Sequence, residues 1–230
     1  MLNGDTVTRD ALADLIRGAV DDTVKQQWPR RAQEPPISSK IAAMLEARLD
    51  GFSINGYKVS IVAQDFPDRG PGSWENKSGA DLYIGIRVDS LPKLAPPISK
   101  GLLIQAKKER VVTHSRADGP PARSKASVDV VDQCEKMVKR SDKGSFVWIY
   151  GAAGARAVPA SEVIEQAPVP PAFLASRNVA EQFRDVLDCF SGDTTLVADG
   201  IFDDDAALGA YLEEIAVRRG VTIDLAPARG

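Results

Sequence analysis

Three apolar runs constrain this chain more than any other feature: YKVSIVAQDF at 57–66, DLYIGIRV at 81–88 and GLLIQAKK at 101–108. Runs of this length, rich in Val and Ile and bounded by Asn, Gly and Pro, are predicted to fold as strands of one sheet. The third begins as a buried strand should, with Leu102, Leu103 and Ile104 in succession. Gln105 and Lys107 then occupy positions where apolar residues would continue it. The two-residue period of a strand puts Leu103, Gln105 and Lys107 on one face, and Leu102, Ile104 and Ala106 on the other. An amide and an ammonium thus share a face, about 6–7 Å apart.

Helical patterns flank these runs. Thr8 to Trp28 reads as a first helix, with Thr8 as N-cap and Leu12, Leu15, Ile16, Ala19 and Val24 near one face. After EPP at 34–36, taken as a breaker, Ser38-Ser39 starts a second helix with Ile41, Met44, Leu45 and Leu49 as its apolar stripe. A Pro/Gly-rich loop at 66–79 and a Pro-rich connection, LPKLAPPISK, separate the strands. The stretch from Val112 to Lys125 reads as a mobile loop. A helix at 127–141, a further strand GSFVWIYG, and helices near 179–190 and 204–219 complete the reading. The resulting order, helix, three strands, helix, strand, is that of an α/β fold, expected as a single domain over 1–230. Its core lies at about 37–151, preceded by the helix at 8–28 and followed by a helical, acidic extension at 160–230.

Composition excludes several classes. With 43% hydrophobic residues the chain can bury a sizeable core, and neither a secretory apolar segment nor an 18-residue apolar span is present. A cytoplasmic protein without membrane contact is expected. Cys134 and Cys189 have neither the count nor the spacing of a disulfide framework or zinc site, and both fall in helical patterns, so both are expected as reduced core thiols. The single histidine, His114, sets aside His-based nuclease chemistry, and GAAGAR at 151–156 lacks the Lys-Ser/Thr of a phosphate loop. The net charge is −3, unevenly spread: residues 98–143 hold eleven Lys/Arg against six Asp/Glu, whereas 181–230 hold four against eleven. Such runs often do no more than solvate a face.

Asp81 opens the second strand. Antiparallel pairing across 89–99 would bring it to the end of the third, where Asp81, Gln105 and Lys107 converge. A carboxylate and an amide oxygen are hard-cation ligands, and Mg²⁺ takes few protein oxygens while keeping several waters. Lys107 would orient or deprotonate an attacking water and offset the charge of a phosphate. A Gln-x-Lys pair alone is common. The combination of an Asp opening one strand, the pair ending the next and a Glu on an upstream helix, in this element order, resembles the restriction-endonuclease-like PD-(D/E)xK nuclease superfamily.

The resemblance covers roughly residues 37–151. It implies a three-layer core, a central mixed β-sheet flanked by helices, and a Mg²⁺ site, with Mn²⁺ as a substitute, that hydrolyses phosphodiester bonds. By position Asp81 is the metal-binding Asp, Gln105 takes the place of the usual acid as in the Mrr-like QxK variant, and Lys107 is the motif Lys. Glu46 matches the helical Glu. Ala80 stands where the motif has Pro. Glu75, six residues before Asp81, is a further candidate ligand against the alternative of a solvated loop Glu. Gln133 on the following helix is either a polar residue facing the site or an exposed Gln. The expected activity is a metal-dependent DNA endonuclease in restriction or anti-phage defence, with Lys108, Arg110, Arg116, Arg123 and Gln133 on double-stranded DNA. A homodimer or partner defence protein is expected through the acidic C-terminal region. The alternatives are a nucleic-acid-binding or interaction module of the same fold with weak or no catalysis, and a repair or junction nuclease.

Overall fold

The computed structural model describes residues 1–2, 4–30, 33–66, 74–89, 96–109 and 125–228, with the backbone alone for 75–76 and 125–128. In chain order its elements are α1 (Thr6–Gln27), α2 (Glu34–Leu49), β1 (Ser53–Ile54), β2 (Tyr57–Asp65), α3 (Trp74–Ser78), β3 (Leu82–Val88) and β4 (Ile98–Lys108). Then follow α4 (Lys125–Val138), β5 (Ser145–Gly151), β6 (Gly154–Pro159), α5 (Ala160–Glu165), β7 (Arg177–Asn178), α6 (Val179–Leu187), α7 (Asp205–Glu214) and β8 (Arg219–Pro227). All eight strands form one mixed open sheet in the order β1-β2-β8-β3-β4-β5-β6-β7.

Helices cover both faces of that sheet. On one, α1, α2 and α6 bury Leu12, Ile16, Ile41, Leu45 and Phe183 against Ile84, Ile104, Trp148 and Ile223. On the other, α4, α5 and α7 bury Cys134, Met137, Val163 and Leu212 against Tyr83, Leu103, Val147 and Ile149. The α/β expectation therefore holds, as do the three strands read from the apolar runs and the helix–strand order around them. No helix among the described residues is long and apolar enough to cross a membrane.

The order of strands in the sheet departs from their order in the chain. β2 and β3 are not neighbours, because β8, from the end of the chain, lies between them, antiparallel to β2 and parallel to β3. The extension expected as helical and acidic at 160–230 thus contains an interior strand. RGVTIDLAP explains why: Val221, Ile223 and Leu225 enter one core, while Gly220 faces Leu212 on the other side so closely that a Cβ would lie 2.8 Å from Leu212 Cδ2. The two charges near this strand are neutralised across the sheet. Arg219 is the register partner of Asp65, with Nε 3.1 Å from Oδ1, and Asp224 is the partner of Arg87, with two contacts of 2.8 Å.

Other boundaries also moved. Asp5, not Thr8, caps α1, and its carboxylate accepts from the Thr8 N–H and hydroxyl. EPP is the first turn of α2 and not a breaker, because proline at the start of a helix gives up only an N–H that would be unsatisfied anyway. Within the loop expected at 66–79, Trp74–Ser78 is a short helix. Cys189 is exposed, just past the end of α6 with φ 69°, and so is not a core thiol, whereas Cys134 is buried as expected. Burial pushes the Cys134 thiol up to about 12.

Two outcomes follow from this packing. Ile223→Ala, on a strand buried on both sides, lowers stability by about 2–5 kcal/mol in urea titration. In native protein at pH 8, a thiol reagent reacts rapidly with one cysteine, Cys189, and reaches the second only in denaturant, because Cys134 holds its proton far above that pH.

Candidate functional site

Site geometry begins with the β3–β4 register. Leu82 pairs with Ile104, so Asp81 falls opposite Gln105, and the Asp81 N–H donates to the Ile104 carbonyl at 2.8 Å. The antiparallel ladder would next run from the Ala106 N–H to residue 79. There Gly79, at φ 78°, turns the chain away, and the Asp81 carboxylate takes the N–H instead, with Oδ2 at 2.8 Å. Gln105 Nε2 donates to the same oxygen at 2.7 Å and to its neighbour's carbonyl, that of Ala106, at 3.2 Å. Both side chains lie below the surface, Asp81 4% and Gln105 1% exposed. A buried carboxylate requires such donors, and here main chain and amide provide them.

Lys107 is half-buried, on the same face as Gln105. Its charge acts on the Cys134 thiol, which places it toward α4. The turn before Asp81 is pressed against that helix: a Cβ on Gly79 would lie 2.2 Å from the Gln133 carbonyl. Gln133 itself is half-buried on α4. Lys108, on the opposite face, lays its Nζ 4.9 Å from the centre of the Trp28 ring, and its backbone N–H donates to Glu34 Oε1 at 3.0 Å.

Glu46 does not join this group. It is exposed on α2, twelve residues beyond Glu34, a separation of about 18 Å along a helix. Glu34, in the first turn of α2, is the carboxylate of that helix that reaches β4, and it lay hidden in the EPP read as a breaker. An acid and prolines in a first turn are the signal that would have found it. Glu75 belongs to α3, with its side chain outside the described residues; Arg110, Arg116, Arg123 and His114 also lie outside them.

A second layer of polar groups sits beneath α2. The Tyr150 hydroxyl, fully buried at the end of β5, is 3.1 Å from Ser38 Oγ. Burial pushes its pKa up; the Ser38 hydrogen bond opposes this, Asp81 adds to it, Arg219 opposes it and Glu34 adds to it. Arg219, 6% exposed, donates from Nε to Ser39 Oγ at 2.5 Å besides meeting Asp65. The strand ends of β2, β3, β4, β5 and β8 thus gather Asp81, Gln105, Lys107, Glu34, Tyr150 and Arg219 in one region. The last three were not found as site residues in the sequence.

Among the described residues no three or more His, Cys, Asp and Glu side chains are grouped to hold a metal ion. The pair fits Mg²⁺ only as a two-ligand site, with one carboxylate from Asp81, one amide oxygen from Gln105 and the remaining positions filled by water and phosphate. That arrangement needs the Gln105 amide to present its oxygen, whereas here its nitrogen faces Asp81. No family model, no curated protein and no solved structure matches the chain.

Two substitutions test this geometry. Gly79→Ala introduces strain at positive φ and a collision with main chain, and is expected to cost about 3 kcal/mol or more in urea unfolding. Gln105→Glu sets a second buried carboxylate against Asp81 and raises the pKa of the pair. Without divalent ions its melting temperature falls below that of the parent at pH 7.5 and recovers as pH is lowered toward 5. Recovery with millimolar Mg²⁺ at pH 7.5 shows a cation between the two carboxylates, and its absence with pH recovery intact excludes one there.

Proposed function

We propose that this chain is a metal-dependent phosphodiester hydrolase acting on DNA, of the PD-(D/E)xK type with glutamine in place of the second acid. The observation that carries this reading is the register: Asp81 and Gln105 are cross-strand partners joined at 2.7 Å, and Lys107 follows on the same face. Three separate sequence positions that the motif requires together are therefore placed by main-chain pairing, not by flexible side chains.

In this reading Asp81 and Gln105 hold a Mg²⁺ ion, which supplies Lewis-acid stabilisation of charge on the phosphoryl oxygens. Ala106 N–H, bonded to Asp81, fixes the orientation of the carboxylate. Lys107 brings a positive charge to the phosphate and orients the attacking water through its Nζ protons. Glu34, anchored on the Lys108 N–H, supplies a carboxylate beside that end of β4 and takes the role assigned to Glu46 from the sequence. The basic character of 98–143 gives affinity for the DNA backbone, in a setting such as restriction or anti-phage defence.

A second reading, a nucleic-acid-binding module of this fold without catalysis, is favoured by the deep burial of the Asp81–Gln105 pair and by the lack of a three-ligand cluster among the described residues. Cleavage separates the two. Supercoiled plasmid with purified protein is converted to nicked or linear forms in Mg²⁺ or Mn²⁺ and not in EDTA. Asp81→Asn, which keeps an oxygen for the Ala106 N–H, and Lys107→Met each reduce the rate at least about 100-fold with unchanged melting temperature. Retention of plasmid binding by the parent, with no cleavage in either metal, establishes the second reading instead.

A further inference from the structure

The sheet has a second concave feature, on a different face from Gln105. Gln105 pairs with Val147, so the neighbouring Phe146 side chain points the opposite way, toward a cavity of about 410 Å³ between the β5–β6 end of the sheet and α6. That volume falls in the range of small-molecule sites. Phe146 and Phe190 offer ring faces, and Phe190, 79% exposed just after the left-handed Cys189, forms an apolar lip.

Gln182 of α6 lines the cavity and is 2% exposed. Its amide orientation is fixed by chemistry: Trp148 Nε1–H is a donor only, and it donates to Gln182 Oε1 at 2.8 Å. The Nε2 group is therefore turned away from Trp148, buried and carrying two N–H donors, with no acceptor among the described residues. Burying a donor without an acceptor is unfavourable, and a ligand oxygen in the cavity removes that cost. Glu162, half-buried on the same wall, adds a carboxylate with no side-chain hydrogen bond or ion pair among the described residues. Arg177 and Asp185 also line the cavity but neutralise each other in an ion pair. The remaining lining charge, Lys143 against Asp142 and Glu162, is slightly negative and disfavours a simple anion.

We infer that this cavity binds a planar lactam of the guanine type, whose carbonyl oxygen accepts from Gln182 Nε2, whose adjacent N–H groups donate to Glu162, and whose ring packs on Phe146 and Phe190. The edge of such a base, acceptor beside donors, is the complement of an amide N–H beside a carboxylate. An adenine edge, with an amino donor in place of the carbonyl, sets donor against donor at Gln182. The inference does not depend on the phosphodiesterase reading, since no residue of the Asp81–Gln105 pair contributes to the cavity.

The test is calorimetric titration of the full chain with guanosine and adenosine. Guanosine is expected to bind, and adenosine at least tenfold more weakly. Gln182→Glu keeps an acceptor for Trp148 and removes the donor, and Glu162→Gln removes the carboxylate at a half-buried position where the fold loses no bond. Each is expected to weaken guanosine at least tenfold, the second with an unchanged melting temperature. A single-stranded oligonucleotide with one guanine, compared with the same strand carrying adenine, separates a site for free nucleosides from one for an unpaired base. Binding in either arm with the guanine preference supports the inference. It is overturned if guanosine does not bind at millimolar concentration and the guanine strand is not preferred. Equal binding of guanosine and adenosine, or guanosine binding indifferent to both substitutions, also overturns it and leaves Nε2 to buried water.

Discussion

Strand β8 gives its main-chain hydrogen bonds to β2 on one side and β3 on the other, and its side chains to helices on both faces, so the sheet cannot close around its own centre until the end of the chain arrives. Without it β2 would be separated from β3 by an unfilled gap, with rows of unpaired N–H and C=O groups on both edges. The same strand brings Arg219 and Asp224 into the layer, and each is met by the opposite charge at its own register position, Asp65 and Arg87. Guanidinium–carboxylate pairs that are only partly exposed both neutralise the charges and favour one register, because slipping by one residue would separate them and turn Ile223 away from the core.

The candidate site depends on a local failure of that regular pairing. The β3–β4 ladder stops where Gly79 turns, and the carboxylate of Asp81 completes it by accepting the Ala106 N–H. A group that completes a ladder is held more firmly than one at the tip of a loop, which is the condition for positioning a metal or a phosphate without reorganisation. Gln105 fits this position because an amide donates to the carboxylate at no cost in charge. A Glu there would face Asp81 with a like charge. The chain thus has a site that is stable without a cation, and the glutamine is the physical reason.

The distribution of charge acquires a different meaning in three dimensions. The acidic residues at 181–230 are not one repelling tail: Asp188 and Asp185 pair with Arg9 and Arg177, Asp203 and Asp224 with Arg87, and Asp193 receives the hydroxyls of Ser141 and Thr195. Several of the net negative charges counted along the sequence are therefore spent within the fold, and the count overstates the acidity available to a partner.

What the sequence determined by itself was whatever local periodicity encodes. The runs at 57–66, 81–88 and 101–108 became β2, β3 and β4, because apolar residues in strand-length blocks between turn signals have few other ways to be buried. The helices at 6–27, 125–138 and 179–187 followed from a 3.6-residue period in the same way. The facing of Asp81 toward Gln105 was legible too, since a hairpin-like connection between two adjacent strands leaves few registers. What only the tertiary structure decided is long in range. That RGVTIDLAP is an interior strand depends on β2 and β3 leaving a place for it more than 130 residues away in the chain. That Glu34 and not Glu46 reaches β4 depends on where α2 crosses the sheet, and both glutamates look alike in the sequence. Gln182 gave no signal at all, because an amphipathic helix does not reveal which of its polar residues will be buried beside a tryptophan donor. Periodicity specifies which face of an element is apolar; which neighbour covers that face, and which polar group is trapped there, is fixed only when the elements pack.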